Sequence, residues 1–154
     1  MTIEIGDAFW SKVAEAAAAE TLPRFRMGGD VVNKIDGGFD PVTEADRQAE
    51  IAIRREIVVR FPEHGIIGEE FGAERPESPF QWVIDPVDGT RSFISGIPLW
   101  GTLVGLTHEG VAVAGMMAQP YIGERFTAEA GEGHYAGPAG RRRLAVSGVT
   151  LLAE

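Results

Sequence analysis

Cysteine and long apolar runs are both absent from the sequence, and 14 basic residues face 23 acidic ones. Without cysteine the chain has no disulfides, no thiolate metal site and no cysteine nucleophile, which fits a reducing compartment. No apolar run approaches the roughly 20 residues that a membrane-spanning helix needs. The net charge of −9 argues against nucleic acids and anionic membranes as partners.

The first residues, MTIEIGDAFW, have neither the basic start nor the apolar core of a signal peptide. Together with the lack of cysteine, this predicts a cytoplasmic protein. The chain has 154 residues, of which 44% are hydrophobic and 24% charged, so its size and composition are those of one globular domain.

Two stretches have the apolar spacing of helices. Residues 7–22 are rich in alanine and stop before Pro23. The second stretch begins at Thr43, a good N-cap residue, and ends at Phe61-Pro62. Its apolar residues recur at every fourth position: Ala45, Ala49, Ile53 and Ile57. The glycine-rich segment between the two helices, MGGDVVNKIDGGFD, predicts a mobile loop or a loose hairpin.

Beyond the second helix the apolar period shortens toward two residues, which is typical of strands. GIIGEE and WVID are predicted to be short strands that end in acids. WGTLVGLTH and VAVAGMMAQ form one hairpin-like pair, joined by His108-Glu109-Gly110, and ERFTAEA and GHYAG form another. Helices followed by a run of strands predict an α+β fold, with two main helices packed on a largely antiparallel sheet.

Acidic residues stand at the ends of these predicted elements: Asp40, Glu69, Glu70, Asp85 and Asp88. If the fold brings such ends within about 4–6 Å, each pair of carboxylates repels by roughly 3–4 kcal/mol at an effective dielectric constant of about 20. A divalent cation removes this repulsion, and an all-oxygen ligand set favours Mg²⁺ or Mn²⁺ over Zn²⁺. The alternative is that the acids are solvated strand ends and caps. That alternative is weakest for Asp85 and Asp88, because the apolar WVI run buries the approach to them.

The spacing of Asp85 and Asp88 separates two kinds of phosphatase chemistry. In the D-x-D-x-T pattern of haloacid dehalogenases, both acids lie on one strand face and the first is a nucleophile. Here the pattern is D-P-V-D-G-T, and Pro86 is expected to end the strand and to place Asp88 in a turn. A covalent aspartyl intermediate is therefore disfavoured, and a metal-activated water is the expected nucleophile.

Gly89 and Thr90 follow these acids and precede a short helical start. The N–H groups that open a helix have no intrahelical partners and bind anions. Gly89 would let a phosphate approach the backbone, and the Thr90 hydroxyl would orient an attacking water. A simple N-cap role is the alternative for Thr90.

Other patterns have structural explanations. GEGHYAG departs from the glycine spacing of a dinucleotide-binding loop and predicts a hairpin turn. His64, His108 and His134 have no ligand spacing and are expected to be surface or structural residues. Arg141-Arg142-Arg143 fits a solvated strand start or a salt-bridged edge.

Three ordered motifs carry a resemblance to a known family. DPVTEAD at 40–46, GEE at 68–70 and WVIDPVDGTRSF at 82–93 resemble those of the inositol monophosphatase-like, lithium-sensitive, metal-dependent phosphatases. The resemblance implies that residues 1–154 form the N-terminal, metal- and phosphate-binding domain of that sugar-phosphatase fold. It also implies a small phosphorylated metabolite as substrate, and a homodimer.

Carried over position by position, the resemblance implies a metal centre. Glu69, Asp85 and the backbone carbonyl of Val87 would ligate a first Mg²⁺. Asp85 would bridge to a second ion, which Asp88 also holds. Two or three Mg²⁺ ions are expected in all, with Mn²⁺ as a substitute.

The resemblance also assigns roles around the metals. Asp40 and Thr90 would position and activate the attacking water, and the Gly89 and Thr90 amides would bind the phosphate. Glu70 and Asp46 would support the ligands without touching the ions.

Two stretches, NKIDGGFDPVTEADRQAE and DGTRSFISGIPLWGTL, resemble the histidinol-phosphatase branch, which hydrolyses L-histidinol phosphate in histidine biosynthesis. Inositol-type members continue DGT with Thr-Asn-Phe, where this chain has Arg91-Ser92-Phe93, so Arg91 is a candidate substrate contact. The alternatives are that Arg91 is a surface arginine, and that the substrate is inositol phosphate or another sugar or nucleotide phosphate.

Family enzymes carry a later Trp-Asp motif whose aspartate completes the second metal site. The 3 tryptophans here are followed by Ser, Val and Gly, so the motif and the C-terminal domain around it are expected to be absent from this chain. We therefore expect weak binding at the second metal site and little turnover by this chain alone. A non-catalytic metal-binding module is the alternative.

Overall fold

The computed structural model describes residues 4–33 and 41–148. Its helices are α1 (Asp7–Thr21), α2 (Glu44–Arg60) and α3 (Thr90–Ile94). Its strands are β1 (Val31–Asn33), β2 (Pro41–Thr43), β3 (Gly65–Gly68), β4 (Gly72–Glu74), β5 (Phe80–Asp88), β6 (Gly101–His108), β7 (Val111–Gln119), β8 (Glu124–Glu129), β9 (Glu132–Gly137) and β10 (Gly140–Leu144). None of the helices in the described ranges has the length and apolar character needed to cross a membrane.

Helix α1 buries one apolar face. Alanine favours the helix, and Asp7 places a negative charge in its first turn. The helix ends at Thr21 and Pro23 follows, in agreement with the predicted stop. Its buried side chains are Phe9, Trp10, Val13, Ala17 and Thr21.

Helix α2 begins with a capping box. The Thr43 hydroxyl accepts a hydrogen bond from the Ala45 N–H, and the Asp46 carboxylate accepts one from the Thr43 N–H at 2.9 Å. The predicted apolar stripe is buried. Two acids, Asp46 and Glu50, lie one turn apart and are only 1% and 0% exposed. Buried acids need polar partners, so Asp46 and Glu50 are expected to form hydrogen bonds or ion pairs on the buried face of this helix.

The main sheet has eight strands in the order β10-β9-β8-β7-β6-β5-β3-β4. Every neighbouring pair of these described strands is antiparallel except β3 and β5, which run parallel. Strand β1, within the glycine-rich segment, and β2, directly after that segment, form a separate antiparallel pair. The predicted α+β fold with a largely antiparallel sheet is confirmed.

Tight turns join the later strands. Glu109-Gly110 connects β6 to β7, and Ala130-Gly131 connects β8 to β9. All four residues have positive φ, between 50° and 80°, as type I′ hairpin turns require. The predicted hairpin connection after β6 and the hairpin reading of GEGHYAG are confirmed.

The arginine run lies on β10, at one edge of the sheet. Arg141 pairs with Asp7 at the start of α1, and Arg143 pairs with Glu132 on β9 at 3.1 Å. The predicted salt-bridged edge is therefore confirmed. Charged side chains on an edge strand also discourage pairing with other chains.

Two apolar clusters hold these layers together. The larger cluster packs α1 and α2 on the sheet and includes Trp10, Ile53 and Trp82. The smaller one joins the start of α2, the end of β5 and α3; it consists of Phe25, Ala45, Val87, Phe93 and Trp100. The smaller cluster therefore holds the segment around Val87 in place through the buried Val87 side chain.

Candidate metal and phosphate site

The parallel pairing of β3 and β5 brings two predicted metal ligands to the same edge of the sheet. Gly68 lies opposite Ile84, so the next residues on the two chain segments, Glu69 and Asp85, lie side by side. The Glu69 N–H donates to the Ile84 carbonyl at 3.1 Å, which extends the pairing by one residue. Glu69 is exposed and Asp85 is half-buried.

Strand β5 continues past Asp85, so the expectation that Pro86 ends the strand is wrong. The strand runs to Asp88, which pairs with Gly101 after an irregularity in register between Asp85 and Asp88. Proline is tolerated at such a position because the ladder is already interrupted there. Val87 is buried and Asp88 is exposed at the end of the strand.

Asp85 lies in an unfavourable electrostatic environment. Its Oδ1 atom is buried and has no hydrogen-bond partner among the described residues. The pKa of Asp85 is raised to about 7, first by burial, then by the charge and hydrogen bond of Glu69, and then by the charges of Asp88 and Asp46. Each neighbouring negative charge disfavours the ionised form. The charges of Glu69, Asp88 and Asp46 therefore all act on Asp85.

Asp46 connects α2 to the turn that follows β5. Its Oδ2 atom accepts hydrogen bonds from the N–H and hydroxyl of Thr43, and its Oδ1 atom lies 3.2 Å from the Thr90 hydroxyl. Burial raises the pKa of Asp46, while the Thr43 and Thr90 hydrogen bonds act in the opposite direction. The Thr90 hydroxyl also lies 3.0 Å from the Val87 carbonyl and can donate to one acceptor at a time.

Gly89 starts α3 in a left-handed conformation with φ of 88°. A Cβ atom at this position would lie 2.8 Å from the Leu99 carbonyl oxygen, so both conformation and space require glycine. Because Gly89 is the N-cap of α3, the alternative that Thr90 caps the helix is wrong. Thr90 is the first helical residue, and its hydroxyl faces Asp46 and Val87 instead.

The remaining predicted residues are placed differently. The Glu70 N–H donates to Glu50 at 2.7 Å, and the Glu70 side chain is half-buried. Arg91 is exposed in the first turn of α3. Asp40 lies outside the described residues.

The carboxylate oxygens of this site are the type of ligand that an oxygen-preferring cation takes. Their present positions do not form a complete coordination shell. Within residues 4–33 and 41–148, no three acidic or histidine side chains are grouped closely enough to hold one ion. The orphaned buried oxygen of Asp85 and the hydrogen bond between Asp85 and Glu69 nevertheless mark a place where a cation would satisfy both groups. Glu69 and Asp88 are exposed, so their side chains have room to turn toward such an ion.

The sequence reasoning missed Glu50. This acid is fully buried on α2, one turn after Asp46, and it binds the backbone that follows β3. The sequence did contain a signal for this role: Glu50 lies next to the apolar stripe of α2, where burial of a charged residue without a partner is costly. Arg54, four residues later, was the visible candidate for that partner.

The family of this chain follows from its similarity to known proteins. The sequence matches the Inositol monophosphatase family over residues 7–153. The chain belongs to this family.

Individual relatives agree with that assignment. A histidinol-phosphatase of Chlorobaculum parvum is 44% identical over 125 residues, which cover 80% of this chain and 48% of the relative. An inositol-1-monophosphatase of Mesorhizobium japonicum is 39% identical over 130 residues, covering 82% and 48%. Among solved structures, the extragenic suppressor protein suhB from Bartonella henselae superposes with a TM-score of 0.80 at 30% identity, covering 92% of this chain and 54% of that one. The chain thus spans about half the length of these relatives.

Proposed function

We propose that this chain provides the metal- and phosphate-binding domain of a Mg²⁺-dependent phosphomonoesterase. The observation that carries the proposal is the convergence of Glu69, Asp88 and Asp46 on Asp85, whose Oδ1 is buried without a partner in the described part of the chain. Such an arrangement is unfavourable without a cation and favourable with one.

Four groups would hold the ions: the carboxylates of Glu69, Asp85 and Asp88, and the carbonyl of Val87. The Val87 side chain is buried in the smaller apolar cluster, which holds the Val87 carbonyl in position. Two Mg²⁺ ions are proposed, and Mn²⁺ would be a working substitute. Bound divalent ions would activate the attacking water, neutralise the phosphate and stabilise the leaving alkoxide.

The remaining residues would orient the substrate and the water. Amides at the Gly89-Thr90 turn would receive the phosphate, because the first N–H groups of a helix are free of intrahelical partners. The Thr90 hydroxyl, held near the Asp46 carboxylate, would orient the attacking water together with Asp40. Asp46 would fix Thr90, and Glu70 would support Glu69, without either acid binding an ion.

L-Histidinol phosphate is the proposed substrate, and the reaction yields L-histidinol for histidine biosynthesis. The Arg-Ser-Phe sequence after DGT and the similarity to a histidinol-phosphatase support this choice. Arg91, exposed beside the site, is the proposed substrate contact. We further propose that the protein is a cytoplasmic homodimer. The apolar side chains of Ile97 and Leu99 are 47% and 71% exposed and are available for an interface.

Inositol monophosphate is the second candidate substrate, because an inositol-1-monophosphatase is similar over a comparable span. Phosphate release should be measured in parallel with L-histidinol phosphate, inositol 1-phosphate, a sugar bisphosphate and a nucleotide bisphosphate, with and without Mg²⁺. We expect Mg²⁺-dependent release that is slow for this chain alone, is fastest with L-histidinol phosphate and is lost in Asp88→Asn.

Three results would redirect the proposal. A preference for inositol 1-phosphate would replace the substrate and keep the site. Metal binding without turnover of any ester would favour the non-catalytic module. Turnover that persists in EDTA would contradict the metal mechanism itself.

A further inference from the structure

Glu69 lies in the very short loop that connects β3 to β4. Strand β3 ends at Gly68 and β4 begins at Gly72, and these two residues face each other across the hairpin. The loop therefore consists of residues 69–71 alone. The two strands constrain a loop this short, and contacts from neighbouring elements add to that constraint.

The Glu50 carboxylate holds this loop from α2. Its Oε2 atom accepts the Glu70 N–H at 2.7 Å, and its Oε1 atom accepts the Phe71 N–H at 3.3 Å. Two successive amides directly after Glu69 are thus bound by one fully buried carboxylate. Hydrogen bonds to an ionised acceptor are shorter and stronger than neutral ones, so this contact restrains the loop closely.

Gly68 provides independent evidence that the sequence makes room for this contact. A Cβ atom on residue 68 would lie 1.8 Å from Glu50 Oε1 and 2.3 Å from its carboxyl carbon. The carboxylate therefore fills the space that a side chain at position 68 would need. The glycine of the GEE motif is explained by Glu50 rather than by the turn.

Arg54 fixes the carboxylate in turn. Its Nε atom donates to Glu50 Oε1 at 2.8 Å, and its Nη2 atom donates to the Gly72 carbonyl. The side chain of Arg54 is 15% exposed, whereas that of Glu50 is fully buried. One carboxylate and one guanidinium on α2 thus bind the backbone of Glu70, Phe71 and Gly72, the three residues that follow Glu69.

We propose that Glu50 is a positioning residue for the metal site: it binds the backbone after Glu69 and so holds the Glu69 carboxylate beside Asp85. The inference rests on the proposed role of Glu69 as a metal ligand. Glu50 itself touches no ion. Groups that support a ligand in this way change metal affinity by about 10- to 100-fold when they are removed.

The test is Mn²⁺ binding by the whole chain, measured by electron paramagnetic resonance well below the unfolding temperature. Glu50→Gln keeps the size of the side chain but offers an amide where two N–H donors and Arg54 need acceptors. We expect its Mn²⁺ affinity to fall about 10- to 100-fold. Glu56→Gln makes the same charge change farther along α2 and should bind Mn²⁺ as the unchanged chain does. Glu69→Gln, the direct loss of a ligand, sets the upper limit of the effect.

The outcomes distinguish a failure of the positioning role of Glu50 from a failure of the proposed metal site. If the unchanged chain binds Mn²⁺ and Glu50→Gln binds it equally tightly, the positioning role is wrong and the metal site stands. If the unchanged chain and Glu69→Gln both fail to bind Mn²⁺, the proposed site is wrong and this inference falls with it. A purely structural role for Glu50 would lower the unfolding temperature and leave the affinity of the folded chain unchanged.

A second measurement needs no substitution. Amide hydrogen exchange should show the Glu70 and Phe71 N–H groups exchanging slowly although their loop lies at the surface. Exchange at the rate of an unprotected loop would overturn the proposal, even if Glu50→Gln did not fold.

Discussion

The two ends of strand β5 are built in opposite ways. At its start, Trp82 is fully buried, its Nε1–H donates to His64 Nδ1 at 3.0 Å, and His64 stacks between Phe61 and Phe80 with ring centroids 4.9 Å from each. At its end, a buried oxygen of Asp85 has no partner in the part of the chain that the structure describes. One strand thus combines an aromatic end, where the Trp82 Nε1–H has a partner and the buried Gln81 Oε1 has none among the described residues, and an acidic end, where several negative charges meet. Stability resides at the first end and the proposed chemistry at the second.

The largest expected effect is at the aromatic end. Trp82→Ala should lower the free energy of unfolding by about 3–5 kcal/mol, because it leaves a large cavity among Phe9, Trp10 and Phe61. Urea unfolding in EDTA measures this loss. Asp88→Asn, at the other end of the same strand, should change stability by less than about 0.5 kcal/mol under the same conditions. Equal losses at both ends would refute the contrast between them.

Adding metal should stabilise the chain through the acidic end alone. At Mg²⁺ concentrations near 100 times the dissociation constant, the free energy of unfolding should rise by about 2.7 kcal/mol. Thermal unfolding with and without Mg²⁺ measures this gain. Trp82→Phe should keep the gain, whereas Asp88→Asn should lose most of it.

Without metal, the charge on Asp85 should cost stability. The pKa of Asp85 is raised above its value of 3.8 in the unfolded chain to about 7, so the unfolded state releases this proton at lower pH. The stability that the protonated carboxyl contributes is therefore complete below about pH 4 and is lost as the pH rises through 7. At pH 8 in EDTA, Asp85→Asn should consequently be more stable than the unchanged chain by about 1–3 kcal/mol. A less stable Asp85→Asn chain under these conditions would argue that Asp85 is a structural residue.

The smallest expected effect is a pH dependence at the aromatic end. Burial lowers the pKa of His64, whose Nδ1 accepts from Trp82, while the Arg75 guanidinium bonds the His64 carbonyl at 2.8 Å. The neutral imidazole is the form that the fold favours, so the contribution of His64 to stability should fall as the pH drops below about 6.5, where the unfolded chain takes up the proton. Asp85 contributes in the opposite direction over this range, so the chains are compared with one another: in urea unfolding between pH 5 and pH 8, the unchanged chain should lose stability relative to His64→Gln as the pH falls. His134→Gln, at an exposed histidine on β9, should follow the pH profile of the unchanged chain.

Local signals in the sequence were sufficient for the helices and the hairpins. The start of α2 follows from Thr43 and its stripe from residues four apart, because both depend on neighbours within one or two turns. The turn at Glu109-Gly110 is set by two adjacent residues in the same way. His64 and His108, which were expected to be surface or structural residues, both stack on Phe80.

Contacts between distant segments could not be read from the same patterns. Pro86 was expected to end the strand, but the register irregularity beside it and the pairing of Asp88 with Gly101 depend on β6. Glu50 was missed because its partners lie on another element, 20 and 21 residues away in the sequence. Family motifs supplied the acids of the site, whereas the backbone that holds them became visible only in three dimensions.

The single parallel pair among the described strands of the main sheet decides where the acids meet. Had β3 run in the opposite direction beside β5, Glu69 would lie near the start of β5, about 15 Å away at roughly 3.3 Å per residue. At that distance, with the Debye length near 8 Å in physiological salt, Glu69 and Asp85 would hardly sense each other. Strand direction, rather than the identity of any one acid, therefore sets the local charge density at this edge. Changes in length between β4 and β5 should be tolerated for the same reason, provided that the two strands keep their common polarity.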